Sequence, residues 1–199
     1  MRVTGQYAPL LGILIGALGG AIYWLAVQIW PSSVAVILSM AATALLTTEF
    51  GGLPATRLDL LGRVLCLLVK YSALMALSAA KLPFAVPANV PLALIMVCGY
   101  AASFALLVSV MAARAEKAAP KIGHGALGLA LLVGFGPAAL LGLPGLIGLA
   151  TAIVVGLGFI AFFKYKKIAA AGAGEGLDAT QLVTEACFYL GALATWKYI

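Results

Sequence analysis

The sequence predicts an all-α protein, a polytopic membrane helical bundle of about seven transmembrane helices forming a single domain over residues 1–199. Three observations predict it. First, 64% of the 199 residues are hydrophobic and 9% are charged, with a mean hydropathy of +1.15, whereas soluble domains carry roughly a quarter charged residues. Second, apolar runs near the bilayer-crossing length of about 20 residues recur along the whole chain. Third, the cations gather on alternate connections between those runs.

Val3 to Thr48 is free of charge, and Trp30-Pro31-Ser32-Ser33 divides it into helices over about 8–29 and 34–48. Proline lacks the N–H a continuing helix needs and clashes with the preceding turn. A third span covers about 64–80 and is followed by Lys81 and a proline-rich turn from Pro83 to Pro91. A fourth runs over about 91–112, ahead of the charged segment from Arg114 to Lys121. The run 126–163 is too long for one helix, and Gly142-Leu143-Pro144-Gly145 divides it into spans five and six. A basic and then glycine-rich loop, 164–178, leads into a last span at about 180–196.

Charge tests the count. With seven spans, one face carries Arg2, Arg57, Arg63, Arg114, Lys117, Lys121, Lys164, Lys166 and Lys167, nine cations, against Lys81 and Lys197, two, on the other. Merging spans five and six weakens the bias to six against five. Cytoplasmic loops carry the excess of Lys and Arg. The expected topology is therefore integral to the plasma (inner) membrane, with the N-terminus and loops two, four and six in the cytoplasm. Glu49, Asp59, Glu116, Glu175 and Asp178 fall on that same side.

Other classes are disfavoured. The net charge of +6 is accounted for by the cytoplasmic flanks, and no basic run carries the interleaved aromatics of a nucleic-acid surface. Cys66, Cys98 and Cys187 sit in apolar runs without a Cys-x-x-Cys pair, so neither a disulfide framework nor a thiolate metal site is supported. The first apolar run outlasts a signal-peptide core and reads as a first span. Gly12, Gly16 and Gly20, with Gly19 beside them, have the spacing that lets helix backbones approach closely. This fits packing within the molecule or a seam in a homo-oligomer.

The scarce polar residues carry what chemistry there is. Lys70 lies mid-span, and a central charge costs roughly 2.5–3.5 kcal/mol on insertion scales. Glu185 is the acid inside a span and hence its natural partner, in a functional or a purely structural ion pair. His124, at a membrane edge, fits a loop residue better than a ligand. The segment Ala171 to Gln181 joins flexible glycines to Glu175 and Asp178, downstream of Lys164, Lys166 and Lys167. Paired acids, mobile backbone and nearby cations suit a Mg²⁺–phosphate site, since magnesium takes one or two carboxylates plus waters and phosphate oxygens. Asp178 also suits a plain helix N-cap with Gln181. Glu49 and Asp59 in the second loop offer further carboxylates, and Arg57 or Arg63 offers cations for phosphate oxygens. The bland reading of that loop is an ordinary polar turn.

These residues resemble a family, the adenosylcobinamide-GDP ribazoletransferases or cobalamin synthases. Tyr7-Ala8-Pro9-Leu10-Leu11-Gly12 looks like its Tyr-x-Pro-Leu-x-Gly opening, and Leu67 to Leu74 looks like its third-span lysine segment. The tail is similar to its Thr-Gly-Asp-x-x-Gly-Ala-x-x-Glu-x-x-Glu pattern, keeping Gly174, an acid at Glu175, Ala179 and Glu185, and departing at Ala173, Asp178 and Leu182. Thr47-Thr48-Glu49-Phe50 resembles the lead-in to the family's His-x-Asp-Gly-x-x-Asp, yet Gly51-Gly52-Leu53-Pro54-Ala55-Thr56-Arg57 follows. This is either a divergent member or a chain lacking a segment between Phe50 and Gly51.

The resemblance implies a Mg²⁺-dependent transfer in which a hydroxyl of α-ribazole, or of α-ribazole 5′-phosphate, attacks the cobinamide-linked phosphorus of adenosylcobinamide-GDP and GMP leaves. It implies catalytic roles for Glu185 and Lys70, and phosphate contacts from Arg57, Arg63, Lys166 and Lys167 beside Gly174. Metal ligands would come from Glu49, Glu175, Asp178, Glu185 and Asp59. Competing readings are a non-catalytic membrane partner of the corrinoid pathway, a small channel or transporter, and another membrane phosphotransferase. A channel or transporter favours buried acids and an internal repeat, and no convincing repeat is present. The Asp-Gly-x-x-Ala-Arg run of CDP-alcohol phosphotransferases is absent.

Overall fold

A computed structural model describes residues 7–51, 60–79, 89–114, 124–165 and 177–196, with side chains described for 7–47, 62–79, 92–113, 125–162 and 179–195. All of these segments are helical or short turns. The helices are α1 (Ala8–Ala26), α2 (Ser32–Gly51), α3 (Leu60–Ala79), α4 (Asn89–Arg114), α5 (His124–Leu140), α6 (Leu143–Tyr165) and α7 (Leu177–Trp196). Their boundaries follow local chemistry. Beyond α1 the Trp30 N–H still reaches the Ala26 carbonyl at 2.8 Å, and the Pro31 carbonyl then receives Val34 at 3.0 Å as α2 starts. Between α5 and α6, Gly142 has φ +69°, a left-handed conformation that glycine adopts without a Cβ penalty. The expected division of 126–163 therefore falls where the sequence placed it.

Four stretches are long and apolar enough to cross a membrane: Ala8–Ala26, Gly62–Ala79, Leu92–Ala113 and Leu143–Phe162. Ser32–Thr47 and Gly125–Leu140 are shorter apolar helices. The exterior agrees with a lipid solvent. Leu10, Leu14, Leu132, Val154 and Leu157 point outward, a concentration of apolar surface that soluble monomers do not carry. The chain is an integral membrane protein.

α4 is the hub of the bundle, with 78% of its spanning window buried against 22% for α3 and for α6. α1 lies against it with Gly12, Gly16 and Gly20. A Cβ added at Gly16 would stand 2.7 Å from Val97 Cα, and one at Gly12 would stand 2.8 Å from the Tyr100 carbonyl oxygen. Gly19 faces α2 instead, where the Ser39 hydroxyl donates to its carbonyl at 2.8 Å. The glycine stripe thus packs within the molecule. α6 meets α7 in the same way, through Gly148 and Gly191, and the Thr151 hydroxyl donates to the Cys187 carbonyl at 2.9 Å.

These contacts fix direction. Gly12 meets Phe104 and Gly20 meets Ala93, so α1 and α4 are antiparallel. Gly191 meets Ile147 while the Cys187 carbonyl meets Thr151, so α7 runs against α6. Gly156 of α6 meets Leu106 while Gly148, by Phe188, lies level with Gly99, by Tyr189, so α6 runs with α4 and α7 against it. Ser39 and Thr43 lie by Met96 and Tyr100 in the same order, so α2 runs with α4. The start of α1, the ends of α2 and α4 and the start of α7 consequently share one end of the bundle. The backbone of Glu49, in the last turn of α2, and that of Asp178, in the first turn of α7, lie at that end.

Candidate functional site

The buried polar residues of the described helices include Ser39, Thr43, Lys70, Ser103, Thr180, Gln181, Thr184 and Glu185. α7 explains why four of them lie together. Residues 180, 181, 184, 185, 188 and 189 recur at helical spacing on one face. The first four are polar, and Phe188 and Tyr189 continue the face as aromatics. Ala186, Gly191 and Ala192 add to the buried surface, and Thr195 near the helix end donates its hydroxyl to the Ala192 carbonyl. The inward side of α7 therefore changes from polar near its start to apolar further along.

At that boundary sits an ion pair. Lys70 Nζ of α3 lies 2.7 Å from Glu185 Oε1 of α7, and the two side chains are 3% and 1% exposed. Nζ also donates to the Tyr100 hydroxyl of α4 at 2.6 Å. The Tyr189 hydroxyl, one turn beyond Glu185, donates to Oε1 at 2.9 Å. Thr43 of α2 lies beside the Tyr100 hydroxyl, while its own hydroxyl donates to the Ser39 and Met40 carbonyls at 2.9 and 3.0 Å. Three helices, α3, α4 and α7, are thereby joined through one buried polar cluster. A lone buried charge costs several kcal/mol, and the cost is offset only when a counter-charge and hydrogen bonds are supplied together. This cluster supplies both.

The sequence-based expectations meet the structure unevenly. Lys70 and Glu185 are brought together as the pair expected from their being the ionisable groups in mid-span. Arg63 lies half-buried on α3, seven residues before Lys70 and hence two turns away on the same side. Glu49 and Asp178 occupy helix ends at the same end of the bundle, with only their backbone described. Arg57, Asp59, Lys166, Lys167, Gly174 and Glu175 lie outside the described residues. Among the described residues no group of three or more His, Cys, Asp or Glu gathers as a metal site. Glu185, expected both as a catalytic group and as a metal ligand, has its Oε1 held by a lysine and a tyrosine.

Tyr100, Tyr189 and Thr43 were not singled out from the sequence. Tyr189 had a readable signal, since it stands four residues after Glu185 and so on the same helix face. Tyr100 had none, because a tyrosine in an apolar span reads as core. Its hydroxyl is testable. Tyr100→Phe removes one of the two partners of Lys70 and should lower stability by about 1–3 kcal/mol, measured as the thermal midpoint in detergent. An unchanged midpoint would show that Lys70 needs Glu185 alone.

Three curated proteins match, each named adenosylcobinamide-GDP ribazoletransferase. That of Leptothrix cholodnii is 48% identical over 50 residues, covering 25% of this chain and 19% of the relative. That of Ralstonia pickettii is 48% identical over 48 residues, covering 24% and 19%. That of Ralstonia nicotianae is 34% identical over 132 residues, covering 53% and 48%. The matched segments thus span at most about half the length of these relatives. No protein-family model and no solved structure matches the chain. By its own motifs and by these relatives alike, this chain resembles the adenosylcobinamide-GDP ribazoletransferases.

Proposed function

We propose that this chain is a cobalamin synthase, a membrane transferase that joins adenosylcobinamide-GDP to α-ribazole or its 5′-phosphate and releases GMP. The observation that carries the reading is the buried Lys70–Glu185 pair. Its two members come from the two segments, the third-span lysine run and the acidic tail, that carry much of the resemblance. The name shared by the three relatives supports it. On this reading the chain crosses the inner membrane seven times as one domain, with its acidic connections on the cytoplasmic side. The positive-inside bias supports that orientation.

In the proposed reaction a ribazole oxygen forms a new bond to the cobinamide-linked phosphorus. The bond from that phosphorus to the oxygen of GMP breaks, and the hydroxyl proton leaves to solvent. Such transfers depend on positioning and charge neutralisation. The carboxylates suit Mg²⁺, because α2 and α7 bring Glu49 and Asp178 to one end of the bundle, Glu175 stands three residues before Asp178, and Asp59 lies on the same connection as Glu49. Mg²⁺ held there by one or two of these acids, when bound, offsets charge on the diphosphate and on the departing GMP. Glu185 is assigned to Lys70 instead of the ion, since an ammonium already compensates it. Arg57, Arg63, Lys166 and Lys167 are the cations for the phosphate oxygens, with Gly174 in the same binding set. Lys70 and Glu185 hold α3 and α7 in register beneath that end.

The test is purified protein in detergent with Mg²⁺, adenosylcobinamide-GDP and α-ribazole, followed by chromatography for cobalamin. Product formation is expected. Glu175→Gln and Asp178→Asn should each lower it about 100-fold at unchanged thermal midpoint, the scale lost with one electrostatic contact to the transition state. Corrinoid binding without product would instead identify a non-catalytic partner of the pathway. The absence of the His-x-Asp-Gly-x-x-Asp run is what favours that second reading.

A further inference from the structure

Gln181 is one of the buried polar groups that the cluster does not use. It is 5% exposed, and among the described residues its side-chain carboxamide has no hydrogen-bond partner. Its main-chain carbonyl is occupied, receiving the Thr184 hydroxyl at 3.1 Å. Most buried polar groups are hydrogen-bonded, and leaving one unmade costs the full desolvation of that group. A leucine would fill the same space on α7 without that cost. The position is informative as well. Gln181 stands four residues beyond Leu177, about 6 Å along the axis, and one turn before Glu185. Along α7, Gln181 stands between the end that carries Glu49 and Asp178 and the ion pair. Glu185 Oε2 likewise receives no hydrogen bond among the described residues, so two acceptor or donor positions face unmatched along one side of α7.

We infer that Gln181 is a ligand-binding residue whose carboxamide recognises a sugar hydroxyl. A carboxamide both donates and accepts, so a sugar hydroxyl engages both its N–H and its carbonyl, whereas an ionised phosphate oxygen engages the N–H alone. The inference rests on the proposed function for its candidate sugars, of which there are two: the ribose of α-ribazole and the ribose of the GDP moiety. Glu185 Oε2, one turn further along α7, is the acceptor for a neighbouring hydroxyl.

Equilibrium binding to the intact chain in nanodiscs tests this without relying on turnover. α-Ribazole, its 2′-deoxy and 3′-deoxy forms, GDP and the two deoxy forms of GDP are titrated against wild type and Gln181→Leu. For one of the two sugars, wild type should lose about 10–100-fold in affinity when one hydroxyl is removed. Gln181→Leu should bind the parent compound that much more weakly and no longer distinguish it from the deoxy form. The same variant, without ligand, should melt at or above the wild-type temperature, because an unmatched polar group has been replaced by an apolar one. A lowered midpoint would assign Gln181 a structural role and overturn the inference. So would wild-type-like discrimination in Gln181→Leu, or failure of both parent compounds to bind wild type. Binding with the expected discrimination but no cobalamin product supports the inference while removing the enzyme reading. Product without any Gln181 effect does the reverse.

Discussion

Glu185→Leu is expected to destabilise the protein by about 3–5 kcal/mol, the usual cost of removing one partner of a buried ion pair. The ammonium of Lys70 would remain 3% exposed with the Tyr100 hydroxyl as its hydrogen-bond partner. A neutral hydroxyl cannot offset the desolvation of a full charge. Leucine is similar in bulk, so lost packing contributes little and the effect is electrostatic. The double variant Lys70→Met with Glu185→Leu should recover most of the loss, because an apolar pair of similar volume is often as stable as a buried salt bridge. Thermal midpoints in detergent for the two single variants and the double variant form a double-mutant cycle. Equal midpoints for Glu185→Leu and wild type would mean that the pair carries no stability. If the double variant is stable yet inactive, the pair positions the catalytic end beyond its contribution to stability.

The second large effect is steric. Gly16→Leu should separate α1 from α4, since the first added carbon already falls 2.7 Å from Val97 Cα and 3.1 Å from the Met96 carbonyl oxygen. Both obstacles are backbone and cannot rotate away as a side-chain tip can. Overpacking by even a few carbons costs typically 1–3 kcal/mol, and here a whole helix must shift, so a loss of about 3 kcal/mol or failure to purify as a folded species is expected. Gly136→Leu on α5 is the control. A Cβ there meets nothing within 4 Å, and leucine in place of glycine gains about 0.5–1 kcal/mol of helix propensity. If the two variants melt alike, the α1–α4 contact is not the tight seam described.

Both predictions show which features were legible before folding was considered. The division at Gly142 was legible because the turn needs a positive φ, and that need is written in the residue type. The pairing of Lys70 with Glu185 was legible because a charge in mid-span must find a counter-charge, and the chain offers one acid there. The glycine stripe was legible as a packing surface, but its partner was not. Gly12, Gly16 and Gly20 face α4 while Gly19 faces α2, and nothing in their spacing distinguishes those neighbours. Tyr100 and Tyr189 escaped notice because a phenol hydroxyl carries no charge penalty and its ring counts as apolar.

Residue chemistry along the chain determined the number of helices, their breaks and the need for a buried ion pair, because each follows from one-dimensional rules of hydropathy, proline and glycine geometry, and charge. The rank of the helices was decided only in three dimensions. The spanning stretches of α4 and α6 have nearly equal hydropathy, 2.2 and 2.3, yet 78% of one and 22% of the other is buried. Lipid and protein interior are equally apolar solvents for a side chain. Hydropathy therefore places a helix in the membrane, and only the fit of small residues against neighbouring backbones decides which helix becomes the hub.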